Sequence, residues 1–267
     1  VLPNHFKNWK LEDRYIETHV VKKLPANWKV SSEAFLEAYH VLETHSEGVY
    51  TAGDANADYD IFGDHISRFI HTIGYTSPHI TENRPSEQEI LDMLLGKRTD
   101  EGSGRVLPEG STAREIYAEH VQGAMKEKYK QDFSNLTVTE TIDSIEYFTF
   151  PNAFFFPGLQ LSMVYRFRPN GVDGALFDLL FLRPKPIDGP CPPPPEPFHL
   201  EVDDSYTKCP GTEFLGAVYD QDTNNLLSQT KGFKSGFKKG QSLGNYQEAR
   251  TRHFHQTVDK YLEENNG

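Results

Sequence analysis

Cysteine is almost absent: Cys191 and Cys209 are the only two in 267 residues. Two thiols cannot build a disulfide framework, and their spacing fits no zinc motif. They read as ordinary thiols, with a lone bridge between them as the alternative. Long apolar runs are missing too. The most apolar stretch, AFFFPGLQLSMVY, is broken by Pro157, Gly158, Gln160 and Ser162, well short of the ~18 residues of a membrane span. A basic-then-apolar leader is not found either, so the expectation is a soluble, cytoplasmic chain. Positive charge is in deficit, with 27 Lys and Arg against 39 Asp and Glu and a formal charge of −12 spread along the chain. Nucleic acid and anionic membranes are therefore poor partners. The chain opens VLPNHF without an initiator Met and reads as a fragment.

Residues 14–24, RYIETHVVKKL, are rich in β-branched and aromatic side chains and predict a strand. Ser31 or Ser32 then caps an expected helix running to about His45. Residues 46–86 are punctuated by Gly and Pro and predict loops, with one strand near 65–73. Helices are expected over 86–96 and 112–131, the second opened by a Thr112–Glu115 capping box. In 159–168 apolar residues hold the odd positions and mostly polar ones the even, which predicts a strand with one buried face. RPNGVDG turns the chain into ALFDLLFLRP, an antiparallel hairpin partner. GPCPPPPEP over 189–197 is polyproline-like and reads as an internal linker. Two more helices are expected, over 211–229 and 245–263, the latter with an Asn245–Glu248 box. No internal repeat is found. One α+β domain over residues 1–267 follows, with helices packed on an antiparallel sheet.

The stretch EAFLEAYHVLETH carries His40 and His45 five residues apart. On a regular helix their side chains diverge by roughly 140°. Either the helix ends between them, or it widens into a π-type turn; failing both, one ring is core and the other surface. Glu37 lies three residues before His40 on the same face, placed to bond an imidazole nitrogen. Far downstream, Leu215, Val218, Tyr219 and Leu226 make one apolar stripe, and Asp222 sits inside it. A core-facing carboxylate needs an ion pair, hydrogen bonds, a wet cleft or a metal. Asp220 falls off the stripe and is expected in solvent. Two imidazoles and a carboxylate form a facial triad, which suits non-haem Fe(II) with open positions. Zinc can use the same donors, but no HExxH helix is present.

These residues also match a family. ANWKVSSEAFLEAYHVLETH resembles the iron-site segment of the Rieske non-haem iron ring-hydroxylating oxygenases, whose pattern is roughly NWK, a gap, ENF, then D/E-x-Y-H-x4-H. FPN at Phe150 to Asn152 and DQDTNNLLSQTKGF resemble the family's later motifs, in order, and the likeness runs from Phe6 to Tyr261. Ala34 replaces the usual Asn of ENF. The resemblance implies a helix-grip-like catalytic domain with His40, His45 and Asp222 on mononuclear Fe(II). It makes Glu37 the carboxylate bridging to the electron donor. It implies hydroxylation of an aromatic or other apolar substrate with O2, as ring cis-dihydroxylation, mono-oxygenation or O-demethylation. Tyr39, Leu42, Phe150, Phe154, Phe155, Phe156, Phe214 and Val218 are the pocket candidates. Plain core packing is the competing role for each. The family's N-terminal Rieske domain holds a 2Fe–2S cluster through a C-x-H…C-x2-H pattern, which this sequence lacks. The expectation is thus the catalytic domain alone. The resemblance further implies a ferredoxin or reductase drawing on NAD(P)H and a homotrimer, with or without a β subunit.

A rival reading is a helix-grip module that binds an apolar ligand without redox chemistry. It gives His40, His45 and Asp222 no reason to converge. A metallohydrolase stands third.

Overall fold

The computed structural model describes residues 1–96, 102–212 and 215–264. Its strands are β1 Arg14–Leu24, β2 Asp58–Phe62, β3 Ile66–His71, β4 Ser144–Thr149, β5 Ala153–Phe156, β6 Met163–Pro169, β7 Ala175–Pro184 and β8 Phe198–Leu200. The helices are α1 Leu2–His5, α2 Trp28–Glu33, α3 Val41–Thr44, α4 Glu87–Leu94, α5 Ala113–Tyr129, α6 Val138–Ile142, α7 Gly216–Lys234 and α8 Ala249–Glu264. One eight-stranded sheet runs in the order β2-β3-β4-β5-β6-β7-β1-β8. The class is α+β as expected, but the sheet is mixed: β8 lies parallel to β1, while the other pairings are antiparallel.

β1 spans the expected residues. The β6–β7 hairpin also forms, with Phe167 opposite Phe177. Period-two alternation buries Met163, Tyr165 and Phe167 from β6 with Phe177, Leu179 and Phe181 from β7 in one core. The Phe167 and Phe177 rings stack with centroids 4.5 Å apart. By truncation, a buried aromatic of this size contributes about 3–5 kcal/mol. β6 starts at Met163 rather than near 159 for a visible reason. The Arg14 guanidinium donates to the carbonyls of Trp9 (3.1 Å), Pro157 (2.8 Å) and Gly158 (3.1 Å), which holds the approach to the strand as a loop. Leu159 consequently packs in a second core on the opposite face.

The sheet separates two helical layers. α4, α5 and α6 cover the face carrying Ile145 and Tyr147, and each opens on a complete capping box, Thr112–Glu115 of α5 included. α2, α7 and α8 cover the other face, where Phe254 of α8 packs on Phe148 and Trp28. On this face the starts of α7 and α8 differ from expectation. α7 begins at Gly216, because the turn at Tyr206–Lys208 presses against it: a Cβ there would lie 2.9 Å from Thr207 Cγ2. α8 begins at Ala249, because Glu248 accepts the Gly244 amide and the Asn245 carbonyl accepts from Arg252, so no Asn245–Glu248 box closes.

Candidate metal centre

The segment bearing the histidines is not one helix. Asn27, not Ser31 or Ser32, caps α2, its side chain accepting the Lys29 amide at 3.0 Å. Ser32 lies inside the helix and donates to the Trp28 carbonyl at 2.8 Å. α2 ends at Glu33, residues 34–40 run irregularly, and α3 is a single turn over Val41–Thr44. His40 is the residue before that turn and His45 the residue after it. His45 has left helical geometry (φ −118°, ψ 55°). The two rings therefore meet, centroids 5.3 Å apart, without a π-type turn.

α7 supplies the third group. Asp222, Tyr219 and Leu226 are buried along one stripe, while Leu215 and Val218 are half-buried. Asp222 Oδ1 lies 2.8 Å from His45 Nε2 and 3.3 Å from His40 Nε2. One donor atom from each of the three residues falls within 4.8 Å of the others. The outward nitrogens are already engaged. His40 Nδ1 donates to Glu37 Oε1 at 2.7 Å, and Glu37 Oε2 accepts the His40 amide at 2.9 Å. His45 Nδ1 donates to Gln221 Oε1 at 2.7 Å. A carboxylate can only accept, so the His40 proton is fixed on Nδ1 and Nε2 is aimed inward. Gln221 lies next to Asp222 in sequence, and nothing in its own residue pattern distinguished it.

Electrostatics follow this packing. Burial pushes His40 down, but its bonds to Asp222 and Glu37 outweigh that and raise it to about 10. His45 is also raised, Asp222 winning over burial. Burial pushes Asp222 up, yet the two histidines hold it below the ordinary carboxylate range. The carboxylate that the two imidazoles face thus favours a proton on either ring. A divalent cation competes for the same place. The donor set fits one: adjacent donors around an octahedral ion with bonds of about 2.1 Å lie about 3 Å apart, which the 2.8 and 3.3 Å contacts bracket. Asp222 Oδ1 is buried, and its contacts with the two imidazoles are close ion-pair contacts without hydrogen-bond geometry.

A cleft of about 220 Å³ opens beside the triad, lined by Ala34, Glu37, His40, Thr44, Asp222 and Leu226 among others. None of the pocket candidates among the described residues lines it. Tyr39 is 48% exposed, since the interruption of the helix turns it outward. Leu42 and Val218 are half-buried. Phe154 and Phe156 are sealed in the aromatic core. Phe155 faces the second core. Phe150 stacks on Tyr261, centroids 5.2 Å apart. Phe214 lies outside the described residues. Asp220 is not left to solvent, because it accepts from Ser205 Oγ and from the Tyr206 amide at 3.0 Å.

An α+β domain that gathers two imidazoles and one carboxylate beside a cleft has the build of a mononuclear non-haem metal oxygenase. The chain belongs to the ring-hydroxylating alpha subunit (catalytic domain) family, whose model matches residues 4–264. Among solved structures it is similar to the quaternary ammonium Rieske monooxygenase CntA in complex with L-carnitine. That match has TM-score 0.54 and 12% identity over 97% of this chain and 52% of that one. CntA in complex with an inhibitor matches with TM-score 0.52 and 13% identity over 94% and 50%. A naphthalene 1,2-dioxygenase variant bound to phenanthrene gives TM-score 0.47 and 11% identity over 98% and 60%. The chain thus spans about half the length of the CntA structures. No curated protein matches the sequence. No helix among the described residues is long and apolar enough to cross a membrane.

Proposed function

We propose that this chain is the catalytic domain of a Rieske-type oxygenase in which His40, His45 and Asp222 hold one Fe(II). The convergence of those three donors, with both outer imidazole nitrogens engaged, carries the reading. Fe(II) held by a facial triad keeps positions open and supplies O2 activation beside an organic substrate. The chain's part is geometric. Glu37 and Gln221 fix the two tautomers, Asp222 closes the triad from α7, and Val30, Ala34 and Leu226 give the cleft an apolar wall. Glu37 also carries the electron path, from its position outside the triad on His40 Nδ1.

The substrate under this reading is an aromatic or other apolar molecule. Ring cis-dihydroxylation is the first outcome to test, with mono-oxygenation or O-demethylation as the alternative. The 2Fe–2S cluster belongs to a domain outside residues 1–267. Electrons come from NAD(P)H through a reductase or ferredoxin, and the assembly is a cytoplasmic homotrimer, with or without a β subunit.

Anaerobic Fe(II) reconstitution followed by metal analysis tests the core of the proposal. The protein should take up one iron, and His45→Ala should lose most of it while keeping its circular dichroism spectrum. Unchanged iron in that variant refutes the ligand set. With the cluster domain present, Glu37→Gln should keep the iron but lower product formation by about 10-fold or more; full activity refutes the electron path.

A further inference from the structure

The irregular stretch between α2 and α3 leaves backbone groups without helical partners. Buried N–H and C=O groups of that kind need substitutes. Two come from distant parts of the chain and meet the backbone on either side of Glu37. Arg250 of α8 is fully buried and donates through Nη1 to the Leu36 carbonyl at 3.1 Å. Its Nη2 donates to Glu146 Oε1 of β4 at 2.7 Å and its Nε to Ser67 Oγ of β3 at 3.0 Å. The guanidinium also lies 5.0 Å from the Phe69 ring centroid. Tyr59 of β2 accepts the Ala38 amide at 3.1 Å, and its hydroxyl donates to Gln247 Oε1 at 3.0 Å.

Leu36 and Ala38 are the two neighbours of Glu37, and both Glu37 oxygens are committed to His40. Arg250 cannot shift independently, because Glu146 and Ser67 anchor it to the sheet. The peptide bearing Glu37 is therefore pinned at both ends to β2, β3, β4 and the start of α8. We infer that Arg250 and Tyr59 are positioning residues for the metal centre: they fix the path of residues 36–38 and so the aim of Glu37 and His40. Neither side chain is among the candidate ligands. The inference rests on the metal-binding reading above. Its consequence is that metal affinity depends on a phenol hydroxyl and a guanidinium that do not contact the ion.

Co(II) titration with visible spectroscopy tests this, using Tyr59→Phe as the principal variant. The substitution removes one hydroxyl and keeps the ring, which packs on Phe69 and Tyr246. Co(II) affinity should fall by about 10–100-fold, as when an outer partner of a metal ligand is lost, and the d–d bands should change. The metal-free Tm should stay within about 4 °C of wild type, the shift expected for one net hydrogen bond. Arg250→Lys keeps a cation against Glu146 but cannot reach three acceptors, and should move affinity and bands in the same direction. If Arg250→Lys does not fold, Tyr59→Phe decides alone. Unchanged affinity and bands in Tyr59→Phe would overturn the positioning role while leaving the metal site intact. Failure of the wild-type protein to bind Co(II) would instead overturn the functional reading itself.

Discussion

The helices on the two faces of the sheet are stabilised in different ways. On one face α4, α5 and α6 start on Ser86–Glu89, Thr112–Glu115 and Thr137–Glu140 boxes, each pairing the N-cap and the third helical residue three positions apart. On the other, the break between α2 and α3 is closed by Tyr59 and Arg250, 21 and 214 residues from the groups they bond. In the scaffold layer the helix starts are closed by local chemistry. A site whose two histidines must converge from one turn of helix departs from regular geometry, and long-range partners keep that departure in place.

Removing the long-range partner should have the largest effect on stability. Arg250→Met leaves Glu146 buried without its cation, and breaking one side of a buried pair costs about 3–5 kcal/mol. Urea unfolding of that variant should show the loss, and Arg250→Met combined with Glu146→Leu should recover much of it. A single-variant loss below about 1 kcal/mol would mean that the site face is not held by this pair, and the contrast between the layers would lapse.

The same division explains how much could be read from sequence. β1, the β6–β7 hairpin, the Thr112 box, the Asp222 stripe and the Glu37–His40 spacing all depend on periodicity or on residues three to four apart. The structure shows each of them. Short α6 escaped although its Thr137–Glu140 box is local, because five residues carry too little periodicity to stand out, and most of the rest depends on remote contacts. The closure of the break required knowing that α8 and β2 lie beneath it. β2 was hidden because Gly53 and Gly63 flank it and Asp58 and Asp60 alternate with its apolar residues. β8 is three residues following a proline-rich stretch, and only its pairing with β1 makes it a strand. The pocket candidates were chosen by closeness to the motifs, but the irregular backbone redirects Tyr39, and the sheet buries Phe154 and Phe156.

A second, smaller effect sharpens the contrast through pH. His71 lies on the site face at the end of β3, buried, with Nε2 lacking a partner. Burial first, then the charge of nearby His40, hold its imidazole down at about 4. An unfolded histidine protonates near 6.5. Between those values the unfolded chain gains a proton that the folded chain refuses, so stability is fully present above about 6.5 and falls as pH drops toward 4. The loss reaches about 3 kcal/mol. Stability curves for wild type and His71→Asn should diverge over that interval, with the wild type falling more steeply. Parallel curves would show that the folded protein protonates His71 freely.

The smallest effect belongs to the regular layer. Thr112 Oγ1 accepts the Glu115 amide at 3.3 Å, and Glu115 Oε2 accepts the Thr112 amide at 2.8 Å. Thr112→Ala removes the first of these together with the bond that Thr112 Oγ1 donates to Glu115 Oε2 at 2.9 Å, and leaves the backbone amide of residue 112 in place, at a typical cost of about 1 kcal/mol. α5 packs Ile116, Tyr117 and Val121 into the second core, on the far side of the sheet from the triad. Thermal unfolding should therefore shift down by a few degrees, about 2–4 °C for a domain of this size, while the Co(II) affinity stays at the wild-type value. Tyr59→Phe also removes one hydrogen-bonding group, yet is expected to weaken metal binding. The two variants together separate loss of stability from loss of positioning. Equal Co(II) weakening in Thr112→Ala would show that any comparable destabilisation loosens the triad, and the distinction between the two faces would then have no bearing on the site.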